Sequence, residues 1–260
     1  MLNYKTYNTN KEEWLVLVHG ISGNISTWDN QVSDLKEKYN LLILDLPWHG
    51  KSEIKEKLTK EILNEEIKAV LDSEGIKKAH FIGMSLGSLV VSQFAIKYPD
   101  YIDRLIFAGS VIQVRMICKL IVAIAEPFRF VLPYKLIYNL AIAIIVPKSK
   151  SKMDGQFFRN GFILMGREKL IEWIEYLKVV LDGDNVMNTL KEMNKKIFFI
   201  SGEYDKMFLK GASESAELVG RKLSIMKNCT HVCNNDNVDL FNKKVLHFLT
   251  CGMPTKICAI

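Results

Sequence analysis

No other stretch restricts the possible fold as much as Ala79-His80-Phe81-Ile82-Gly83-Met84-Ser85-Leu86-Gly87-Ser88. An apolar, β-type run ends in Gly-x-Ser-x-Gly. A helix-patterned segment carrying Leu89-Val90-Val91 and Phe94-Ala95 follows at once and stops at Pro99. A chain that turns this sharply from strand to helix holds its serine in a strained conformation with Oγ exposed. Residues two before and two after the serine pack against each other in such a turn, and Gly83 and Gly87 bring no Cβ to it. The new helix also offers backbone N–H groups and the positive end of its dipole to negative charge developing beside Ser85.

Other apolar runs have the continuous character of strands buried on both faces of a parallel sheet. They cover residues 13–18, 41–46, 105–108, 196–201 and 223–226. Helical spacing fills the intervals at 26–39, 55–73, around 209–219 and from about 238 to 249, with Gly75 as the expected cap of the second. Strands alternating with helices predict an α/β fold built on a doubly wound, mostly parallel sheet. Ligands of such sheets bind beyond the carboxyl ends of the strands, where His19, Ser85 and Asp205 fall.

The alternation breaks over residues 111–192. That block reads as several amphipathic helices punctuated by Pro127, Pro133, Pro147, Gly155, Gly161 and Gly166. The expected organisation is a single core of residues 1–110 and 193–260, with residues 111–192 inserted between core strands as a helical cap. A chain of 260 residues fits one domain with an insertion better than two domains.

The net charge of +6 arises in this block. Between Val111 and Lys152 stand Arg115, Lys119, Arg129, Lys135, Lys148, Lys150 and Lys152 against Glu126 alone. So local a charge argues against a general nucleic-acid-binding surface. Two readings remain for the block. Its apolar residues line a pocket while its cations meet an anionic substrate, or lipid headgroups in a weak membrane-surface contact. Otherwise an apolar face docks on the core and the lysines are simply solvated. Residues 136–146 are apolar almost all round, more than one docking face requires.

The first thirteen residues are polar, without the apolar stretch of a signal peptide, and the run 136–147 is too short to span a bilayer. A cytoplasmic protein is expected. Cys118, Cys229, Cys233, Cys251 and Cys258 are an odd, scattered set that suits reduced thiols. Cys229-Thr230-His231-Val232-Cys233 has no second Cys/His cluster to complete four ligands, so neither a metal nor a cofactor is expected.

A serine hydroxyl becomes nucleophilic when a base lies within hydrogen-bonding reach and a third group orients that base. His19 and His49 lie in loops beside the site and read as holding loop geometry. His80 precedes the elbow strand, and His247 belongs to the last helix. Elimination and position leave His231, a few residues past the last strand. Two acids, Glu203 and Asp205, follow the strand at 196–201 and are both candidates for the third role.

The order Ser, acid, His along the chain is that of α/β-hydrolases, and the sequence resembles that superfamily in its small, capped, single-domain form. The matching motifs are Leu17-Val18-His19-Gly20, Asp45-Leu46-Pro47-Trp48-His49-Gly50-Lys51-Ser52, Gly83-Met84-Ser85-Leu86-Gly87, Gly202-Glu203-Tyr204-Asp205 and Thr230-His231. The resemblance covers nearly the whole chain apart from the cap. It implies a catalytic triad of Ser85, His231 and Asp205, the last preferred to Glu203. It also implies an oxyanion hole from the backbone N–H groups of Ile21 and Leu86, and a pocket involving His19, Met84 and Trp48. Trp48 departs from the pattern, since relatives commonly place a small residue before His-Gly. Its ring either narrows the pocket mouth or covers a helix end. The implied activity is hydrolysis of a small-molecule carboxylic ester with a modestly apolar part. The same triad could act on a thioester, a lactone or a carbon–carbon bond, and a non-catalytic binding protein is the rival from another class.

Overall fold

Along Trp14–Val18 the side chains alternate between two apolar layers: Val16 and Val18 join one core, Leu15 and Leu17 the other. Burial on both faces is why this run is apolar throughout. The computed structural model describes residues 1–113, 132–145, 155–182 and 186–251. Among them, seven strands form one sheet: β1 (Tyr4–Tyr7), β2 (Trp14–Val18), β3 (Asn40–Leu44), β4 (Ala79–Met84), β5 (Ile102–Ala108), β6 (Lys196–Gly202) and β7 (Leu223–Met226). Their spatial order is β1-β3-β2-β4-β5-β6-β7. Strands β2 to β7 run parallel, and β1 pairs antiparallel with β3. This is the doubly wound, mostly parallel α/β sheet expected, with the elbow strand β4 at its centre.

The helices are α1 (Asp29–Leu35), α2 (Lys60–Ser73), α3 (Leu86–Lys97), α4 (Tyr134–Ile145), α5 (Gly155–Asp182), α6 (Val186–Glu192), α7 (Leu209–Leu218) and α8 (Val238–Cys251). Helix α3 is buried at every position from Leu86 to Ala95. It therefore lacks the one-sided pattern of the charged helix α2. Several boundaries differ from the sequence reading: the helix expected over 26–39 is shorter, Asp29–Leu35, the strand expected over 41–46 ends at Leu44, and the strand expected from residue 105 starts at Ile102. The helix expected from residue 55 starts at Lys60, because the Thr59 side chain accepts from the Ile62 N–H (3.2 Å) and caps it there. Strand β1 was not anticipated: it lies at the sheet edge and buries none of its residues fully, so its sequence carries no apolar run.

The described secondary-structure elements between β5 and β6 are all helices: α4, α5 and α6. Gly166 (φ 75°, ψ 170°) breaks α5 into two halves. The first half holds α4, with Tyr134 Oη donating to the Phe162 carbonyl (2.5 Å) and Tyr138 stacked on Phe162. The second half seats on the loop after β3, where Trp173 Nε1 donates to the Pro47 carbonyl (3.2 Å) and its ring meets His49 edge-on. Gly161 presses so close to the loop after β2 that a Cβ on it would lie 1.9 Å from the Ser22 carbonyl oxygen. The inserted helices thus cover the carboxyl ends of β2 and β3. Arg115, Lys119, Arg129, Lys148, Lys150 and Lys152, with Glu126, Cys118 and Cys258, lie outside the described residues. Cys229, Cys233 and Cys251 are free thiols, the first two buried. No described helix is long and apolar enough to cross a membrane.

Candidate active site

Ser85 stands between β4 and α3 with φ 52° and ψ −119°, a left-handed conformation that costs a non-glycine residue about 1–3 kcal/mol. The turn is braced on all sides. The Ser85 N–H donates to the Ala108 carbonyl at the end of β5 (2.9 Å), while its own carbonyl accepts from the N–H (2.8 Å) and hydroxyl (2.6 Å) of Ser88. The two elbow glycines are required by contact. A Cβ on Gly83 would lie 2.3 Å from the Gly87 carbonyl oxygen, and one on Gly87 2.3 Å from that of Val18. The serine is thereby wedged against the strand next to its own.

His231 reaches Ser85 from the loop after β7. Its Nε2 lies 2.8 Å from Ser85 Oγ and its Nδ1 2.7 Å from Asp205 Oδ2. A carboxylate only accepts, so Nδ1 carries the proton and Nε2 is left to accept from the serine hydroxyl. Asp205 follows β6, and its other oxygen accepts from the Phe208 N–H (3.2 Å), which fixes the carboxylate plane. Ser85, Asp205 and His231 are all buried, and the Phe208 ring packs against the imidazole. Glu203 faces elsewhere: it is exposed and accepts from the Asn228 N–H (3.0 Å).

The loop carrying His231 has a support that the sequence did not reveal. Asp236, in the single turn Cys233–Asp236, accepts from both the N–H (2.6 Å) and the hydroxyl (2.5 Å) of Thr230. A lone aspartate in a short polar stretch gave no periodic signal for this.

His19 and His49 are both fully enclosed and stitch the loops together. His19 Nε2 accepts from the Leu46 N–H (3.0 Å), and His49 Nε2 accepts from the Ser22 N–H (3.0 Å). Their Nδ1 atoms face the carbonyls of Gly20 (2.8 Å) and Pro47 (2.9 Å). Each ring therefore uses one nitrogen as donor and one as acceptor, which is the neutral form. Burial pushes His19 down to about 4 and His49 down to about 3.

A small cavity, open to solvent, lies over Ser85 and His231. Gly20, Ile21, Gly23, Thr27, Met84, Phe158, Val232 and Asn234 complete its lining. Of the expected pocket residues, Met84 lines it; His19 is enclosed behind Gly20, and Trp48 lies outside under the Lys169 ammonium (4.6 Å from the ring centroid). Phe158 and Asn234 were not foreseen. Phe158 comes from an inserted helix whose apolar residues all look alike in sequence, whereas Asn234 could have been suspected from standing three residues after His231. The Ile21 N–H has no acceptor among the described residues, and Leu86 opens α3, where an N–H has no intrahelical partner. Among the described residues, one group of three side chains could hold a metal ion: Glu13, His80 and Asp103, at the opposite ends of the strands.

The comparisons agree with this architecture. The family model described as alpha/beta hydrolase fold matches residues 13–134. A 2-hydroxy-6-oxononadienedioate/2-hydroxy-6-oxononatrienedioate hydrolase of Pseudomonas sp is 25% identical over 254 residues, covering 92% of this chain and 89% of that protein. A pimeloyl-(acyl-carrier protein) methyl ester esterase of Aeromonas hydrophila subsp. hydrophila is 35% identical over 98 residues, 37% of each chain. Among solved structures, the enol-lactonase from Burkholderia xenovorans LB400 superposes with a TM-score of 0.82 at 21% identity, over 96% of both chains. Sheet order, elbow and these likenesses show the α/β-hydrolase fold, whose family model matches residues 13–134.

Proposed function

We propose that the protein is a serine hydrolase acting on a small to medium, apolar carboxylic ester through Ser85, His231 and Asp205. The observation that carries this reading is the unbroken hydrogen-bonded line from Ser85 Oγ through both ring nitrogens of His231 to Asp205. As Ser85 Oγ attacks the carbonyl carbon, His231 Nε2 takes its proton, and Asp205 stabilises the imidazolium. Negative charge gathers on the carbonyl oxygen between the N–H groups of Ile21 and Leu86, each such donor lowering the barrier by about 3 kcal/mol. His231 then protonates the departing alcohol, leaving an acyl group on Ser85. Water, deprotonated by the same imidazole, releases the acid.

Residues 111–192 would serve as the cap that shapes the substrate pocket, with Phe158 as its contribution near the serine. The apolar lining favours a small neutral molecule as partner. The second reading, the same triad on a carbon–carbon bond or a lactone, draws on breadth of likeness. The dioate hydrolase aligns along nearly the whole chain, whereas the ester esterase aligns over 37% of it.

The test is turnover of a p-nitrophenyl ester series from acetyl to palmitoyl, wild type beside Ser85→Ala. Ser85-dependent turnover supports the esterase, and the chain-length optimum sizes the pocket. Labelling of Ser85 by a fluorophosphonate without ester turnover moves the assignment to the other bonds. Failure of both in a folded sample supports a binding protein.

A further inference from the structure

The peptide that carries the Ile21 N–H is held in place from outside the cavity. A Cβ on Gly20 would lie 3.0 Å from Ser85 Cβ, so the Gly20–Ile21 peptide runs directly against the elbow. Its carbonyl oxygen, on Gly20, accepts from the Gly23 N–H (3.1 Å) and from His19 Nδ1 (2.8 Å). The next residue, Ser22, is buried with φ 58°, a left-handed conformation that a non-glycine residue keeps only where its surroundings enforce it. Those surroundings are His49 and helix α5. The Ser22 N–H donates to His49 Nε2 (3.0 Å), and the Ser22 carbonyl is the group against which Gly161 presses.

His49 is itself seated by the insertion. A neutral imidazole has one donor and one acceptor. The acceptor is given to Ser22, and the donor, Nδ1–H, goes to the Pro47 carbonyl (2.9 Å). That same carbonyl accepts from Trp173 Nε1 (3.2 Å), whose buried ring meets His49 edge-on with centroids 5.7 Å apart. Helix α5 therefore grips the loop after β2 twice. Gly161 does so directly, before the break at Gly166, and Trp173 does so through His49, after it.

From this geometry we infer that His49 is a positioning residue for the Ile21 N–H, and that α5, seated through Trp173, keeps His49 in place. The insertion then does more than wall the cavity: its docking sets the aim of an oxyanion donor. The inference rests on the proposed reading of Ser85 as nucleophile and the Ile21 N–H as donor. Loss of the His49 acceptor leaves the Ser22 N–H unpaired and frees a strained residue to relax, turning the adjoining peptide away from the reacting oxygen. A donor of this kind acts on charge that exists only in the transition state, so the loss falls on kcat and leaves KM nearly unchanged.

The experiment compares three variants with the wild type. His49→Leu removes the acceptor, His49→Gln offers Oε1 in place of Nε2, and Trp173→Phe keeps a ring without the donor. One readout is kcat and KM on a p-nitrophenyl ester. The other is the inhibition constant of a series of alkyl trifluoromethyl ketones, whose adduct with Ser85 places a negative oxygen between the N–H groups. His49→Leu should lower kcat roughly ten- to a hundredfold with KM within about threefold, and weaken the ketone by a similar factor. His49→Gln should return both to within about fivefold of wild type, and Trp173→Phe should lose about two- to tenfold in both. Wild-type values of kcat and ketone affinity in His49→Leu, or an effect confined to KM, overturn the inference. So does a loss in His49→Gln equal to that in His49→Leu, since the acceptor is then not what matters. Should His49→Leu fail to fold, Trp173→Phe decides, and wild-type values for it overturn the inference. A wild type that binds the ketone without turning over any ester overturns the ester reading, and the ketone constants alone then decide the inference. A wild type that binds no ketone overturns the inference itself.

Discussion

Two buried histidines, at opposite ends of the sheet, each lie beside carboxylates, yet only one forms a relay. His231 has Asp205 at 2.7 Å on one nitrogen and Ser85 at 2.8 Å on the other, both with hydrogen-bond geometry. His80, near the start of β4, has Asp103 at 3.2 Å and Glu13 at 3.6 Å, and neither nitrogen makes a hydrogen bond. Asp103 is shared with Lys78 and Arg104, and Glu13 is largely in water. Burial pushes the His80 pKa down against the pull of those two acids. Proximity of a carboxylate therefore does not by itself align an imidazole. At His231 both ring nitrogens are aligned, one on an acid committed to it and the other on a serine hydroxyl.

The largest test of this contrast is removal of the relay's ends. Ser85→Ala or His231→Ala should lower kcat on a cleaved ester by on the order of 10⁵–10⁶, whereas Asp205→Asn should cost about 10⁴ by misorienting the imidazole. Steady-state kinetics on purified, folded variants would check both. A loss below tenfold in Ser85→Ala would break the comparison outright.

The next effect concerns the two stitching histidines. Their folded pKa values of about 4 and about 3 sit below the ordinary 6.5, so the unfolded chain takes up these protons first. Their contribution is complete above about pH 6.5 and is lost as pH falls toward those folded values. His19 alone should withdraw about 3 kcal/mol by pH 4. Urea unfolding between pH 7 and 4 would read this as a falling midpoint. His19→Gln should flatten the slope if the ring is its source.

Smaller still is the join between the insertion and the core. Trp173→Phe removes the donor to Pro47 and should lower stability by about 1–2 kcal/mol, measured by the same denaturation. Smallest is His80→Ala, which should change kcat/KM by less than about threefold, because His80 lies at the far end of the sheet from the relay. A hundredfold loss there would erase the distinction drawn between the two histidines.

Legibility in the sequence followed the physics of each region. Strands β2 to β6 announced themselves because burial on both faces demands an unbroken apolar run. The edge strand β1 is paired on one side only and had no such demand to meet. The positions of Ser85 and His231 could be read from their turns and chain order, whereas the preference for Asp205 over Glu203 came from the family resemblance. Phe158, Asn234 and Asp236 were not legible. What they do depends on which way one side chain points from an inserted helix or a single turn, and neither period nor composition encodes that. Trp48 shows the converse: a conspicuous ring in a recognisable motif lies beneath a lysine, away from the cavity.

The relay also carries information about time. Ser85 and His231 are 146 residues apart in sequence, and the hydrogen bond from Asn234 Nδ2 to the Thr27 carbonyl spans 207. Every strand from β4 to β7 must have taken its place before the serine meets its base. Under the proposed mechanism, a nascent or refolding chain is chemically silent until its last strand docks. Onset of turnover would then be a clock for the final topological step, insensitive to everything assembled earlier.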